Sequence, residues 1–356
     1  MARSVPSWGP FTFARDRPHG FRTVSTRKAR SGWKMNQVRN ASATILLLLA
    51  WTVGHAQPAS PFGPAAAWLV VEGDSLLRME KPQKAVDKYT QAIDMEPSAS
   101  NYSARARAWY QMDRMDRFLL DTEKALKIDS THAEANYQRA LYALRSEDYR
   151  TAERLSTRAL DHGAKNRVRE QALIVRGEAR AELRKTKEAI ADLKAGLGDR
   201  TEDLPAMKTL ARMHDAQKDH AASLSVLEKL CTVEPGDIGN WTNRGFELAA
   251  LGRYEEALTI YGKALTLDKD EPTALSDRAY ALHKLGRNQE AMVDVERSLK
   301  SYPSNAFALH TRALLRLAKG EREKACADLH LAHIIGGVAE VDALLEKNCG
   351  GIQQKR

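Results

Sequence analysis

The residues best suited to chemistry in this sequence of 356 residues lie near its C-terminus. His310, His330 and His333 fall close together, and His330 and His333 share one face of any helix that contains both. Metal sites use that spacing, but no Asp, Glu or Cys completes a recognisable zinc set. His333 also stands where leucine stands in earlier, similar segments of the chain. We therefore expect a packed histidine here and no metal site.

Two cysteines, Cys326 and Cys349, flank the pair Gly336-Gly337. With a helix on each side of that turn, they lie about 10.5 and about 12.5 residues from its midpoint, so at 1.5 Å per residue their heights differ by roughly 3 Å. That difference is compatible with a disulfide, which an exported protein can form. The alternative is two buried thiols that pack without a bond. Cys231 has no obvious partner and is expected in the core.

Motifs of catalytic sites are missing from the sequence. It contains no G-x-S-x-G segment, no Gly-rich phosphate loop and no H-E-x-x-H segment. The strongly patterned stretches are accounted for by a repeat, and the 28% of charged residues suit solvated helix faces. We expect no enzymatic activity and no cofactor.

The repeat is plain in "NRGFELAALGRYEEALTIYGKAL", residues 243–265, which recurs with variations at spacings of 33 to 37 residues. Eight units begin near Ala66, Ala99, Ala133, Glu170, Asp203, Ile238, Pro272 and Ala306. Two columns of mostly small residues hold one phase: Gly73, Ala106, Ala140, Gly177, Leu210, Gly245, Ala279 and Ala313, then Ala85, Phe118, Ala152, Ala189, Ala222, Ala257, Ala291 and Ala325. Small side chains let two helix axes approach to about 8–10 Å. Each unit is therefore predicted to be two antiparallel helices joined by a turn.

These residues resemble the tetratricopeptide repeat, a helix–turn–helix motif of about 34 residues. The resemblance covers residues 66–339, about three quarters of the chain, and is weakest in the fifth unit, where Lys229 replaces a small residue. It implies an all-α, right-handed superhelical solenoid of about eight repeats whose first helices line a concave groove.

Residues 340–356 are expected to complete the array with a capping helix and a tail. The helix is predicted over roughly residues 338–348, with Leu344 and Leu345 inward and Asp342, Glu346 and Lys347 outward. A terminal repeat needs such a half-polar cover because its outer face has no neighbour. A similar ending is familiar from exported bacterial proteins of the repeat family.

Arginine precedes the first small residue in six of the eight units: Arg105, Arg139, Arg176, Arg244, Arg278 and Arg312. A row of arginines could bind phosphate or acid. The alternative, which we favour, is that each pairs with an acid on a second helix, such as Asp192, Asp294 or Asp328, because this place points to the seam between repeats. Thr131 and Glu134 are predicted to form a capping box at the start of the third unit.

The place left for function is the face that each first helix turns to the groove. It is basic and aromatic in units 2 and 3, acidic in units 4 and 5, and aromatic with imidazole in units 6 to 8. The residues expected to contact a partner are Arg107, Tyr110, Tyr137, Leu141, Arg145, Phe246, Tyr280 and His283. Tyr, Phe and Arg often anchor interfaces, although any one groove aromatic could instead pack against adjacent helices. We expect a scaffold that binds a peptide or protein segment.

The net charge of +9 is concentrated at the N-terminus. Residues 1–56 contain nine Lys/Arg and one acidic residue, which leaves 55 − 9 = 46 basic and 46 − 1 = 45 acidic residues in the body. A nucleic-acid-binding body would be expected to have a basic stripe of its own. An RNA-binding helical repeat is therefore the less favoured alternative, and no nucleic-acid partner is expected.

The N-terminal segment indicates export. Residues 1–34 form a basic leader, residues 35–56 have the charged region, apolar core and small-residue ending of a signal peptide, and residues 57–65 form a Pro-rich linker. We expect a periplasmic or secreted protein without stable membrane insertion, since the apolar core is shorter than the about 20 residues that span a bilayer. The alternatives are Met35 as the true start, a transit peptide over residues 1–34, and a retained apolar segment that tethers an assembly factor to the membrane.

Overall fold

A computed structural model describes residues 63–350, which form seventeen α-helices and no strand. The expectations for residues 1–34 and 35–56, for residues 57–62 of the linker and for the tail from residue 351 lie outside the described residues. The helices are α1 Gly63–Arg78, α2 Pro82–Met95, α3 Ala99–Gln111, α4 Met115–Ile128, α5 Ala133–Arg145, α6 Tyr149–Asp161, α7 Asn166–Glu182, α8 Thr186–Leu197, α9 Leu204–Ala216, α10 His220–Val233, α11 Ile238–Ala250, α12 Tyr254–Leu267, α13 Pro272–Lys284, α14 Asn288–Ser301, α15 Ala306–Ala318, α16 Arg322–Ile335 and α17 Val341–Cys349. None of them combines the length and apolar character that crossing a bilayer requires.

Helices α1 to α16 form eight hairpins that stack in chain order. Each helix packs against its neighbours in the sequence, and the first helices of successive hairpins also contact each other, so they line the inner face. The prediction of an all-α solenoid of eight helix–turn–helix units is confirmed. One step is loose: α9 and α11 contact each other less than any other two successive first helices.

The turn inside each hairpin has the same conformation in all eight units. Its second residue adopts a left-handed φ between 56° and 77°, and the next N–H bonds to a carbonyl five residues back, as Arg253 N–H does to Leu248 O at 2.9 Å. In units 6 to 8 that residue is glycine, at positions 252, 286 and 320. In units 1 to 5 it is Glu80, Asp113, Glu147, Arg184 and Lys218, whose Cβ atoms make the left-handed conformation more costly.

The columns of small residues lie where the two helices of a hairpin cross. Ten alanines of the two columns are fully buried: Ala106, Ala140, Ala279, Ala313, Ala85, Ala152, Ala189, Ala257, Ala291 and Ala325. The approach is closest at Gly73 and Gly245, because a Cβ at either would lie 2.5 Å from a tyrosine ring, that of Tyr89 and that of Tyr261 respectively. The Tyr261 ring is itself buried, so an added methyl group would have to displace a packed side chain. The small column therefore sets the spacing of the helices.

Changing Gly245 to alanine is expected to lower the free energy of unfolding by about 2 kcal/mol, the cost of forcing an extra methyl group into a packed core. Gly262, on α12 one residue after Tyr261, provides a matched control, since a Cβ there meets nothing within 4 Å. Gly262→Ala is expected to raise the free energy of unfolding by about 0.5–1 kcal/mol through higher helix propensity. Urea unfolding followed by circular dichroism measures both, and effects of the same sign would contradict this account.

The row of arginines is structural. Four of them donate two hydrogen bonds each to an aspartate sixteen residues further on, with N–O distances of 2.6 to 2.9 Å. The pairs are Arg105–Asp121, Arg176–Asp192, Arg278–Asp294 and Arg312–Asp328. Each pair joins the first helix of a hairpin to the second. The favoured interpretation of the row is thus confirmed for these four units.

The remaining units show what replaces the pair. Arg244 donates a hydrogen bond to Glu228 of the preceding hairpin at 3.1 Å. The Arg139 guanidinium lies 5.2 Å from the centroid of the Tyr142 ring. In the first unit the two charges are exchanged, with Glu72 at the arginine position and Lys88 at the aspartate position, 3.0 Å apart. The ion pair therefore occupies this position in five of the eight units, with its polarity reversed in the first.

The predicted capping box of the third unit is wrong. Helix α5 begins at Ala133, so the N-cap is His132, whose ring accepts the Ala135 N–H at 3.3 Å. Thr131 lies one residue too early and instead donates its hydroxyl to Asp129 at 2.7 Å. Glu134 then occupies the second helical position, from which it cannot complete the box.

The C-terminal cap is present but shorter than predicted. Helix α17 begins at Val341 because Gly336 and Gly337 have φ values of 82° and 88° and a turn follows them. Leu344 and Leu345 pack against the last hairpin, as expected. The three residues predicted to face outward, at positions 342, 346 and 347, are exposed.

A disulfide joins Cys326 of α16 to Cys349 of α17, with the two Cα atoms 5.7 Å apart. Cys231 is buried and has a free thiol. His333 does not pack: its side chain is 56% exposed and its Nδ1 lies 2.6 Å from Asp342 Oδ1. The leucines at the same place in earlier units are covered by a following hairpin, and here the array ends.

Candidate functional site

A concave pocket of about 540 Å³ opens between the first helices of units 1 to 4. Four of the predicted groove residues line it: Arg107 and Tyr110 on α3, and Tyr137 and Leu141 on α5. The other lining residues are Asp74, Leu77, Arg78, Gln111, Phe118, Glu134, Gln138, Arg167, Val168 and Gln171. The structure thus brings together, at one place, residues that the sequence separates by more than thirty positions.

Tyr110 forms an aromatic wall of the pocket. Its ring lies 5.4 Å from the ring of Phe118, centroid to centroid, in a tilted arrangement. Phe118 is buried, so it supports Tyr110 from below the surface. The guanidinium of Arg145 lies 5.2 Å from the Tyr110 ring centroid, at a cation–π distance. Arg145 is exposed at the edge of this wall and is placed to contact a bound molecule.

The positive charge predicted for this face is partly neutralised. Arg107 donates to Asp74 at 2.8 Å and lies 3.2 Å from Glu134. Burial opposes the charged form of Arg107, but Glu134 and Asp74 outweigh burial and raise its pKa. Two exposed cations, Arg78 and Arg167, also line the pocket. The pocket therefore offers aromatic and aliphatic surface beside charges of both signs.

The groove beyond the pocket is acidic, as the sequence indicates. Burial, together with the charges of Asp203 and Glu182, raises the pKa of Glu178 to about 7. Glu182 accepts a hydrogen bond from Arg212 at 2.7 Å, which ties α7 to α9. A ligand that extended from the pocket into this stretch would meet the carboxyl groups of Glu178 and Glu182.

The predicted groove residues of units 6 and 7 do not join the pocket. Tyr280 is buried, and the Lys284 ammonium lies 4.8 Å from the centroid of its ring. The Nδ1 atom of His283 lies 2.9 Å from Asn288 Oδ1. Phe246 is half-buried. Of the eight residues expected to contact a partner, four therefore line the pocket, Arg145 lies beside it against Tyr110, and three lie apart from it.

Two features of the pocket were missed in the sequence. Phe118 replaces an alanine in the second small column, and that exception indicates a site where a larger ring is needed. Helix α7 begins at Asn166, four residues before the predicted start of the unit, and the added turn brings Arg167 and Val168 to the pocket. The spacing of 37 residues between the third and fourth units was the available signal.

Comparison with known proteins identifies the repeat. The family described as tetratricopeptide repeat matches residues 70–133, and the family described as TPR repeat matches residues 245–286. A tetratricopeptide repeat and J domain-containing co-chaperone of Cryptococcus neoformans is 33% identical over 94 residues, which are 26% of this chain and 18% of that protein. The chain thus matches less than a fifth of the length of this relative.

Solved structures with a similar fold include a tetratricopeptide repeat protein from Parabacteroides merdae, at 16% identity and a TM-score of 0.44, covering 81% of this chain and all of that one. The APC/C hetero-tetramer Cut9–Hcn1 is another, at 15% identity and a TM-score of 0.47, covering 81% of this chain and 56% of that one.

Proposed function

We propose that this chain, a member of the tetratricopeptide repeat family, is a non-enzymatic scaffold that binds a segment of another protein in the pocket of units 1 to 4 and the groove that continues from it. The observation that carries the proposal is the convergence of four predicted groove residues on one concave pocket. Repeats of this family mediate interactions between proteins. A peptide or an extended or helical protein segment fits this concave face best.

The pocket is suited to anchoring a side chain of the partner. Tyr110 is held by Phe118, and Arg107 is held by Asp74 and Glu134, so both are ordered before a partner arrives. Preformed side chains lower the entropy cost of binding. Tyrosine and arginine are also enriched among residues that dominate binding energy. A partner side chain with an apolar body would contact Tyr110, Tyr137 and Leu141.

Changing Tyr110 or Arg145 to alanine is expected to raise the dissociation constant of the partner at least tenfold, about 1.4 kcal/mol. Each change removes one member of the stacked pair, and Arg145→Ala does so without touching the buried columns. The partner would be isolated by affinity capture with residues 57–356, and binding would be measured by calorimetry.

Tyr302 and Arg154 provide matched controls, since both are exposed and neither lines the pocket. Tyr302→Ala and Arg154→Ala are expected to leave binding unchanged. Circular dichroism would verify that all four variants are folded. If binding survives both pocket changes and depends on the outer face, the groove assignment is wrong.

We also propose that the protein is exported, to the periplasm or beyond. The disulfide between Cys326 and Cys349 supports this proposal, because structural disulfides persist in oxidising compartments and are rare in the cytosol. The N-terminal mass of the native protein would show whether residues 35–56 are removed. Recovery of the uncleaved chain in the membrane fraction would instead support a tethered assembly factor.

A further inference from the structure

Three titratable side chains meet where unit 5 joins unit 6, and none of them lines the proposed binding pocket. Asp215 lies near the end of α9, His220 begins α10 and Glu247 lies on α11. His220 Nδ1 is 2.7 Å from Glu247 Oε2 and 3.6 Å from an Asp215 carboxylate oxygen. One ligand atom from each residue lies within 4.8 Å of the other two. The cluster therefore gathers one imidazole and two carboxylates from three helices.

Glu247 makes this cluster unusual. Its side chain is 0% exposed, and its Oε1 is buried without a hydrogen-bond partner among the described residues. An unpartnered buried carboxylate oxygen is costly unless a donor or a cation satisfies it. Asp215 and His220 retain 18% and 15% exposure, which leaves a small ion a path from solvent.

We propose that Asp215, His220 and Glu247 form a binding site for a divalent zinc ion. Zinc accepts imidazole nitrogen and carboxylate oxygen at about 2.0–2.2 Å, so three ligand atoms in a tetrahedral arrangement lie roughly 3.4 Å apart. The observed separations, from 2.7 Å to within 4.8 Å, reach that value by side-chain shifts of about an ångström. The imidazole ligand favours zinc over calcium and magnesium, which prefer oxygen alone. Water would take the fourth position.

The position of the site suggests its use. Asp215 on α9 and Glu247 on α11 belong to the two successive first helices that contact each other least in the whole array. A zinc ion held by both would join the two helices at that step. The site would therefore stiffen the solenoid between the unit that departs most from the repeat pattern and its neighbour.

The test is titration of chelator-treated protein with zinc by calorimetry, and with cobalt(II) as a visible-absorption probe of tetrahedral coordination. One zinc ion per chain is expected, with affinity at least tenfold weaker in His220→Ala and in Glu247→Gln. Zinc is also expected to raise the unfolding midpoint of the unchanged chain, and a chelator to reverse that shift. Neither variant should show the shift.

His333 provides a matched control, because its Nδ1 also lies close to a single carboxylate, that of Asp342, at 2.6 Å. His333→Ala should bind zinc like the unchanged chain. Asp215→Asn is an isosteric change at a partly exposed residue. Its zinc affinity tests the proposal if His220→Ala or Glu247→Gln fails to fold. Absence of saturable one-to-one binding, unchanged affinity in Asp215→Asn, or loss of binding in His333→Ala alone would overturn the proposal.

Discussion

Replacing Asp192 by alanine is expected to lower the free energy of unfolding by about 3 kcal/mol, the range found when one partner of a buried ion pair is removed. Asp192 accepts two hydrogen bonds from Arg176 and one from Arg180, at 2.7 to 2.8 Å. Its side chain is 7% exposed, and those of the arginines are 16% and 19% exposed. The change would leave the largely buried Arg176 without a carboxylate partner, while Arg180 would keep only Glu153. Urea unfolding followed by circular dichroism measures the loss.

The pair of Arg244 and Glu228 is the control for this prediction. Its distance is 3.1 Å, but the Glu228 side chain is 50% exposed, and exposed pairs contribute about 1 kcal/mol or less. Glu228→Ala is therefore expected to have a small effect. An equal cost for both changes would show that burial does not distinguish these pairs. Both variants, once folded, should bind the partner with unchanged affinity, because neither residue lines the pocket.

Breaking the disulfide between Cys326 and Cys349 is expected to lower the stability of the C-terminal end by about 3 kcal/mol. The loop that it closes is 23 residues long, and loss of loop entropy in the unfolded chain accounts for an effect of that size. Helix α17 would suffer most, because it has only nine residues and packs on one hairpin. Thermal unfolding of the oxidised protein with and without a reductant measures the change.

The double variant Cys326→Ser/Cys349→Ser separates the disulfide from other effects of the reductant. Cys231 remains in both proteins, so any influence through that thiol is common to them. The reductant should lower the unfolding midpoint of the unchanged chain and leave that of the double variant where it is. In unreduced, denatured protein one thiol should titrate, and three should titrate after reduction. Three thiols before reduction would contradict the bridge.

The fold was predictable because its determinants repeat. The helices depend on local hydrogen bonds. The small residues of the two columns recur at the same place in each unit, so the pattern of one unit helps to identify the next. The spacing of sixteen residues between Arg278 and Asp294 could be read in the same way. His333 could not, since its burial depends on a ninth hairpin that does not follow it. The start of α7 was missed because the pattern of the other units masked its extra turn.

The candidate site was predictable only in part. Helix periodicity places Arg107, Tyr110, Tyr137 and Leu141 on one face, and the structure gathers them in one pocket. The same periodicity places Tyr280 on the equivalent face, but neighbouring side chains bury it. Which groove residues remain accessible depends on the sizes of side chains in adjacent units. Glu247 escaped notice because its partners lie 27 and 32 residues away, and glutamate is common on helix surfaces.

The residues in the eight hairpin turns also indicate which end of the array unfolds first. In units 1 to 5 the residue with the left-handed φ is charged, whereas in units 6 to 8 it is glycine. The C-terminal end is also cross-linked by the disulfide. Stability in stacked repeats is nearly a sum over units and their neighbours, so fraying is expected to start from the N-terminal side. The pocket proposed to bind a partner lies on that side. A partner bound across α1, α3, α5 and α7 would stabilise this less stable end reversibly. Binding of the partner is therefore expected to make the N-terminal units more resistant to proteolysis.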